Sequence, residues 1–355
     1  MKPVEKLLQY MEQHNLDGFF LAKKPNVRYI SGYTGDDSYL LITREQLFFL
    51  TDPRYTEQAG KECPDYQLVL WKQFASIGAC VASIAQQHKI KAIGFEADAL
   101  SFLFYSQLKQ EVNCELVPTT DVVETFRSIK SPEEIAYMRA ACEISCRAFE
   151  RLLPDIRVGV TEKELAAKLS AYMVMEGSDT QPYGNILISG ARTSLLHGIP
   201  SSKAIEYGDF VLMDFGCQFN GYLSDMTRTV VVGRATAKQR EVYEIEKRML
   251  EDSLEHMHAG VPLKEVYDAS IQAVKDTEYY PYIYTGIGHG IGMFVHEIPF
   301  MNPSSTGVLE ENSVRTIEPG IYIPDWGGVR IEDQVLITAD GYENMISTTH
   351  DLIEL

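Results

Sequence analysis

The spacing of apolar residues changes period repeatedly over the first ~125 residues. Residues 3–16 repeat apolar positions at helical spacing and predict an amphipathic helix; 18–22 is a short apolar run, read as a strand. Segments 39–42 and 47–50 flank a short polar break and read as a hairpin. Strand patterns follow at 66–71 and 92–95, and helical patterns at 77–88 and 102–112. Such alternation predicts an α/β unit with its own core. A boundary falls near Arg127–Ser131, giving expected domains of 1–128 and 129–355.

Ser131-Pro132-Glu133-Glu134 is a strong helix start: a serine cap, proline at the first helical position and glutamate at the third. The helix is expected to reach about Leu153. Thr161 and Glu164 repeat the capping pattern, and Gly177 can close that second helix. From about Asn185 the pattern becomes strands and tight turns. Residues 210–215 read as a strand, Asn220-Gly221 as a hairpin turn, and 222–232 as the return strand. Helices are expected over 237–258 and 263–277, then strands around 315–318 and 329–337, with a late turn at Asp340-Gly341.

A faint long-period echo runs through this second part. Leu212-Met213-Asp214-Phe215-Gly216 resembles Thr316-Ile317-Glu318-Pro319-Gly320, and Leu223-Ser224-Asp225 resembles Arg330-Ile331-Glu332. Chance can produce this; a duplicated half-domain explains it. Each half supplies two acids in strand contexts, where acids rarely sit unless paired or metal-bound. A single such acid usually means a salt bridge or a turn. Four clustered carboxylates repel one another, and several would stay protonated. Two divalent cations balance four negative charges, and a metal pair about 3.5–4 Å apart is a known hydrolytic arrangement. A carboxylate-rich set favours a harder ion such as manganese, with zinc, cobalt and iron as alternatives.

His289 lies in the glycine-rich run Gly286-Ile287-Gly288-His289-Gly290-Ile291-Gly292. Such glycines let a backbone approach a metal or substrate closely. The rival phosphate loop lacks its lysine here. His296 comes seven residues after His289 in Val295-His296-Glu297-Ile298-Pro299, and His197 stands next to turn formers. Singly, each histidine reads as structural or surface; beside four candidate acids on one domain, the functional reading gains. Arg330, two residues before Glu332, would share its strand face and pair either with a ligand acid or with a substrate carboxylate.

Composition narrows the classes. The chain has 355 residues, enough for about two domains. Acids outnumber bases 50 to 32, a formal charge of −18, which argues against a nucleic-acid partner. No apolar stretch approaches the ~18 residues of a membrane span, and the N-terminus has no uninterrupted apolar run of the secretory kind. Six cysteines without a C-x-x-C pair suit a reducing cytoplasm, and Cys142 and Cys146 at helical spacing read as core.

The combined strings resemble the metallopeptidase family with the pita-bread fold, which contains methionine aminopeptidase, aminopeptidase P and prolidase. They are M-D-F-G (213–216), S-D-M-T-R-T (224–229), G-H-G-I-G (288–292), V-H-E-I-P (295–299), T-I-E-P-G-I-Y (316–322) and G-G-V-R-I-E-D (327–333). N-V-R-Y-I-S-G-Y-T-G (26–35) and T-D-P-R-Y (51–55) resemble the smaller domain of prolidases, aminopeptidases P and creatinases, so the resemblance spans nearly the whole chain. It implies a small N-terminal α/β domain of creatinase-like type and a C-terminal α+β pita-bread domain of two duplicated halves. It implies two divalent ions per subunit, held by Asp214, Asp225, His289, Glu318 and Glu332, with a bridging water or hydroxide as nucleophile. Asp225 and Glu332 would bridge both ions; Glu318 would also be general base. His197 and His296 match two histidines that contact substrate and stabilise the tetrahedral intermediate, and Arg330 an arginine at the proline-side end. The expected activity is Xaa-Pro bond hydrolysis, leaning to the dipeptidase, with aminopeptidase P on longer peptides as the alternative. A metal-free creatinase type or a non-catalytic binding module fits less well, because all five ligands are intact. The resemblance also implies a homodimer acting on small peptides; the cysteines point to the cytoplasm, and hydropathy and charge to no membrane or nucleic-acid partner. Thr285, Ile287 and Arg315 depart from the proline-specific pattern.

Overall fold

A computed structural model describes residues 1–180 and 183–355. The chain folds as two compact units, Met1–Arg127 and Ser128–Leu355. The first runs α1 (Pro3–Gln13), β1 (Gly18–Leu21), α2 (Lys24–Ser31), β2 (Tyr39–Thr43), β3 (Leu47–Thr51), α3 (Thr56–Glu62), β4 (Gln67–Leu70), α4 (Ile77–Gln87), β5 (Ala92–Glu96), α5 (Phe102–Glu111) and β6 (Glu115–Thr119), with α6 (Val122–Ser128) at the boundary. Its sheet has the order β4-β3-β2-β1-β5-β6. β2 and β3 form the expected antiparallel hairpin, while β1–β5 and β5–β6 are parallel. β1 is buried at every position, as expected for a strand covered on both faces.

The motif strings of this unit do structural work. Asp52 accepts the Arg54 amide at 2.8 Å and its guanidinium as well, pinning the turn of T-D-P-R-Y. Asn26, wholly buried, donates to Glu96 at 2.6 Å and accepts from Arg127 at 2.6 Å. The periodicity reading left α2 unassigned. Its signals were a proline in the first turn and Gly32 in the left-handed conformation at its end, rather than a long apolar stripe.

The second unit opens with α7 (Pro132–Leu152) and α8 (Glu162–Met175), both started by the capping boxes seen in the sequence. β7 (Ile186–Ser189), β8 (Phe210–Phe215), β9 (Gln218–Phe219), β10 (Tyr222–Leu223) and β11 (Met226–Val231) follow. Then come α9 (Ala237–Leu254), α10 (Leu263–Gln272), β12 (Gly288–Gly290), β13 (Glu297–Met301), β14 (Val314–Ile317), β15 (Gly320–Ile323), β16 (Gly327–Arg330), β17 (Asp333–Ile337) and β18 (Tyr342–Asn344). The two long helices stop short of the predicted ends, because their last turns tighten to three-residue hydrogen bonds such as Met257 N to Leu254 O and Thr277 N to Val274 O.

The echo in the sequence is an architectural repeat. In the first half, β8 pairs with β11 and the small β9–β10 hairpin lies between them. In the second, β14 pairs with β17 and the β15–β16 hairpin lies between them. Each half has its own helix pair, α7 with α8 and α9 with α10, and its own core. Met138, Phe149 and Met213 pack in one, Val242, Met249 and Ile317 in the other. Cys142 and Cys146 pack in the first core, and all six cysteines are free thiols.

Two predicted strands are corrected. The return arm 222–232 breaks at Ser224–Asp225, and 329–337 breaks at Ile331–Glu332, where the chain passes from the β15–β16 hairpin into the five-stranded sheet. Arg330 and Glu332 therefore do not share one strand face. Each break puts an acid immediately before a return strand: Asp225 before β11 and Glu332 before β17.

Candidate active site

The two strand breaks meet. Thr227, the second residue of β11, forms an antiparallel bridge with Glu332, and its hydroxyl donates to Glu332 Oε2 at 2.7 Å. Ligand atoms of Asp225, His289 and Glu332 all lie within 4.8 Å of one another, and all three residues are buried. Glu318, one residue past β14, comes within 3.2 Å of His289 Nε2 through Oε1. Asp214 sits in β8 opposite Thr227 and lines the same cavity as Asp225, Glu318 and Glu332, with a volume of about 600 Å³. His197 and His296 line it too, and the His289 and His296 rings meet edge-on at 4.6 Å.

Local chemistry fixes each donor. His289 Nδ1 lies 2.8 Å from the Gly290 carbonyl, which can only accept, so Nδ1 carries the proton and Nε2 faces the acids with its lone pair when the ring is neutral. Tyr183 donates to Asp225 Oδ1 at 2.8 Å, and the Asp225 amide donates to Gln334 Oε1 at 3.0 Å. The Asp225 turn also depends on Gly216. A Cβ there would stand 1.8 Å from the Ser224 carbonyl oxygen and 2.2 Å from the Tyr183 hydroxyl, so only glycine fits. In the glycine run, the space beside Gly290 is filled by Arg315: a Cβ would lie 2.7 Å from its Nη1. That glycine makes room for a buried guanidinium beneath the histidine.

Arg330 is almost wholly buried. Its guanidinium donates to Asp214 Oδ2 at 2.5 Å, Tyr322 Oη at 2.7 Å and Thr227 Oγ1 at 3.0 Å. Of the two sequence readings for Arg330, the pairing with a candidate ligand acid is the one seen here. Ile287 is fully buried in the second core, whereas Thr285 lines a second cavity of about 620 Å³ beside the first.

The electrostatics are those of crowded anions. Burial, then the Asp214 charge, raises the Asp225 pKa from 3.8 to about 8. Burial and the neighbouring carboxylates push Glu332 well above the usual range. Asp214 is raised by burial, with Arg330 opposing. Burial alone would lower His289, but Glu318 and Asp225 outweigh it and lift it to about 9. Burial works to raise Glu318; His289 prevails and holds it low. Burial and His289 pull His296 down. Glu332 Oε1 is buried without a hydrogen-bond partner, a cost that a cation would remove. Oxygen-rich donors, one imidazole and an orphaned carboxylate oxygen fit divalent metal.

Sequence reasoning missed Glu162, beyond its place in a capping motif. Fully buried, it accepts from the Ser189 amide (2.8 Å) and hydroxyl (3.1 Å), the Ser201 amide (2.8 Å) and hydroxyl (2.7 Å) and Arg192 Nε (3.2 Å). It thus ties down the segment that carries His197. Glu162→Ala is expected to lower the unfolding free energy by about 3–5 kcal/mol, because it strips one side of a buried charged network. Denaturant titration checks this; a loss within error would remove Glu162 from that role. Tyr183, Thr227, Tyr322 and Gln334 were also missed as partners, although Thr227 and Tyr322 stood inside the motif strings.

This fold and site define a metal-dependent hydrolase. Residues 136–339 match metallopeptidase family M24, and residues 3–129 match the creatinase/prolidase N-terminal domain. The chain belongs to metallopeptidase family M24, whose members work with divalent metal ions. It is 36% identical over 352 residues to a Xaa-Pro dipeptidase of Pyrococcus horikoshii, covering 99% of this chain and 98% of that one. Among solved structures, a Xaa-Pro dipeptidase from Bacillus anthracis superposes with a TM-score of 0.95 at 36% identity, covering 100% of this chain and 99% of that one. An X-Pro aminopeptidase from Thermotoga maritima superposes at 0.93 with 31% identity, covering 99% of each chain. The two-domain pita-bread architecture implied by the sequence is therefore the observed one. No helix among the described residues is long and apolar enough to cross a membrane.

Proposed function

We propose that this protein is an exopeptidase that hydrolyses Xaa-Pro bonds, acting on Xaa-Pro dipeptides. The full-length similarity to a Xaa-Pro dipeptidase, joined to an intact set of acids and imidazoles around one cavity, carries this reading. The similarity to an X-Pro aminopeptidase keeps longer Xaa-Pro peptides as a second reading. Two divalent ions, manganese in the first instance, are assigned to Asp214, Asp225, His289, Glu318 and Glu332. A cytoplasmic homodimer completes the proposal; the fully free, mostly buried cysteines are compatible with a reducing compartment.

Bound metal would supply Lewis acidity for the scissile carbonyl and activation of water. The side chains do the rest. Glu318, on the cavity wall beside His289, takes a proton from the attacking water and returns it to the departing proline nitrogen. An Xaa-Pro bond is a tertiary amide without an N–H, so it offers no such handle for recognition. His197 and His296, both on the cavity wall, can instead donate to the oxygen that gains charge. Arg330 holds the Asp214 carboxylate in place from behind. The test compares an Xaa-Pro dipeptide, an Xaa-Pro-Yaa tripeptide and an Xaa-Ala control, with chelated and manganese-reconstituted protein. Metal-dependent cleavage of the proline substrates over the control is expected. Equal cleavage of the control, or none of any substrate with metal bound, overturns the reading.

A further inference from the structure

We infer that the catalytic unit offers no lysine or arginine to the substrate's carboxyl end, so the site accepts extended and C-terminally blocked Xaa-Pro peptides as well as the free dipeptide. This rests on the Xaa-Pro reading and concerns what lies beyond the proline.

Two cavities meet at a shared rim of His197, His289, His296 and Glu318. The first holds Asp214, Asp225 and Glu332, three of the residues assigned to the metal ions. The second is faced by Tyr284, Thr285, Phe300, Asn302 and Ser304, which are aromatic or neutral hydrogen-bonding groups. At about 620 Å³ it is the size of a whole small-ligand site, far more room than one proline ring needs. Among the described residues lining either cavity there is no lysine or arginine.

Four cations of this unit that pair with or contact residues at or next to these walls are committed elsewhere. Arg330 is spent on Asp214 and Tyr322. Arg315, wholly buried, sits behind Gly290 and donates to the Ile298 carbonyl at 3.2 Å. Lys130 pairs with Glu297 at 3.5 Å, both buried. Arg192 pairs with buried Glu162 and donates to the Ile199 carbonyl at 2.7 Å. For Arg330, Lys130 or Arg192 to reach a substrate carboxylate, it would have to strand the carboxylate it now neutralises. His197, His289 and His296 border this chamber only along the rim it shares with the first cavity, beside Glu318; among the described residues its other walls carry no charged side chain. A free carboxylate there loses water without gaining a lysine or arginine partner, whereas an amide or a further residue loses far less.

The experiment uses the full chain reconstituted with manganese and three substrates: Ala-Pro, Ala-Pro amide and Ala-Pro-Ala. The amide and tripeptide are expected to match or exceed the dipeptide in kcat/KM. An Arg–carboxylate clamp would typically favour the free acid by about tenfold or more. A dipeptide preference of that size overturns the inference, because a cation from outside the unit would then be reading the carboxylate. Failure on all three substrates, with fold and metal content intact, overturns the Xaa-Pro reading itself and the inference with it. Ser304→Arg, at an exposed position on the chamber wall, is expected to raise the acid-to-amide ratio about tenfold. An unchanged ratio would count against this chamber as the carboxyl-end site.

Discussion

Replacing Glu318 with glutamine is expected to lower kcat by about 10²–10⁴-fold, the range lost when a positioned general base is removed. Glutamine keeps the size and one carbonyl oxygen, so contact with His289 survives in part. It loses the negative charge and the ability to carry a proton between water and the leaving nitrogen. Glu318 lies just past the end of β14 and faces the cavity, so the melting temperature should move little. Kinetics, thermal unfolding and metal analysis on the same preparation separate the roles. Lost metal would mark Glu318 chiefly as a ligand; near-normal turnover would remove it from catalysis altogether.

Chelation is expected to abolish turnover and also to give stability a pH slope that the metal-loaded protein lacks. In the metal-free protein, Asp225 titrates near 8 rather than 3.8, so between those values the folded state holds a proton that the unfolded chain has released. Stability then falls as pH rises through that window. Glu332, raised in the same direction, adds to the slope. His289, raised from 6.5 to about 9, does too: its contribution is complete below 6.5 and is lost as pH climbs through 9. Glu318, held low, opposes them only in acid, losing its contribution as pH drops through its folded value. Bound cations take the place of those protons, so metal uptake at neutral pH should release protons. Melting temperatures of chelated and loaded protein from pH 5 to 8 check this. A flat profile for the chelated protein would show that the acids are not crowded as described.

The sequence made much of this legible where the signal was local. Ser131 with Glu134 and Thr161 with Glu164 start helices at the expected positions, because a cap is a matter of a few neighbouring residues. The acids were legible because charge inside an apolar strand is costly and needs a reason. What was lost depended on distant partners. Nothing near Arg330 in sequence reveals that Asp214, 116 positions away, occupies its guanidinium. Nothing near Glu162 announces Ser189 and Ser201. The strand breaks at Asp225 and Glu332 were hidden because apolar residues continue on both sides, and only the pairing partners change. The echo misled slightly as well. String matching sets Asp214 against Glu318, yet by the ends of the two ladders Glu318 stands two positions further along. The ladders end at Phe215–Met226 in one half and Ile317–Asp333 in the other.

That offset is even, and side chains alternate faces with a period of two. Thr316, the residue at the Asp214 level, still turns its hydroxyl toward Glu318, 3.5 Å away. A step of two leaves a carboxylate on the cavity-facing side; a step of one would send it to the opposite face. Parity thus decides which face an acid takes at the end of each ladder. The two halves differ in the level of their acids, and the even step between Asp214 and Glu318 is what keeps both on the wall of one cavity.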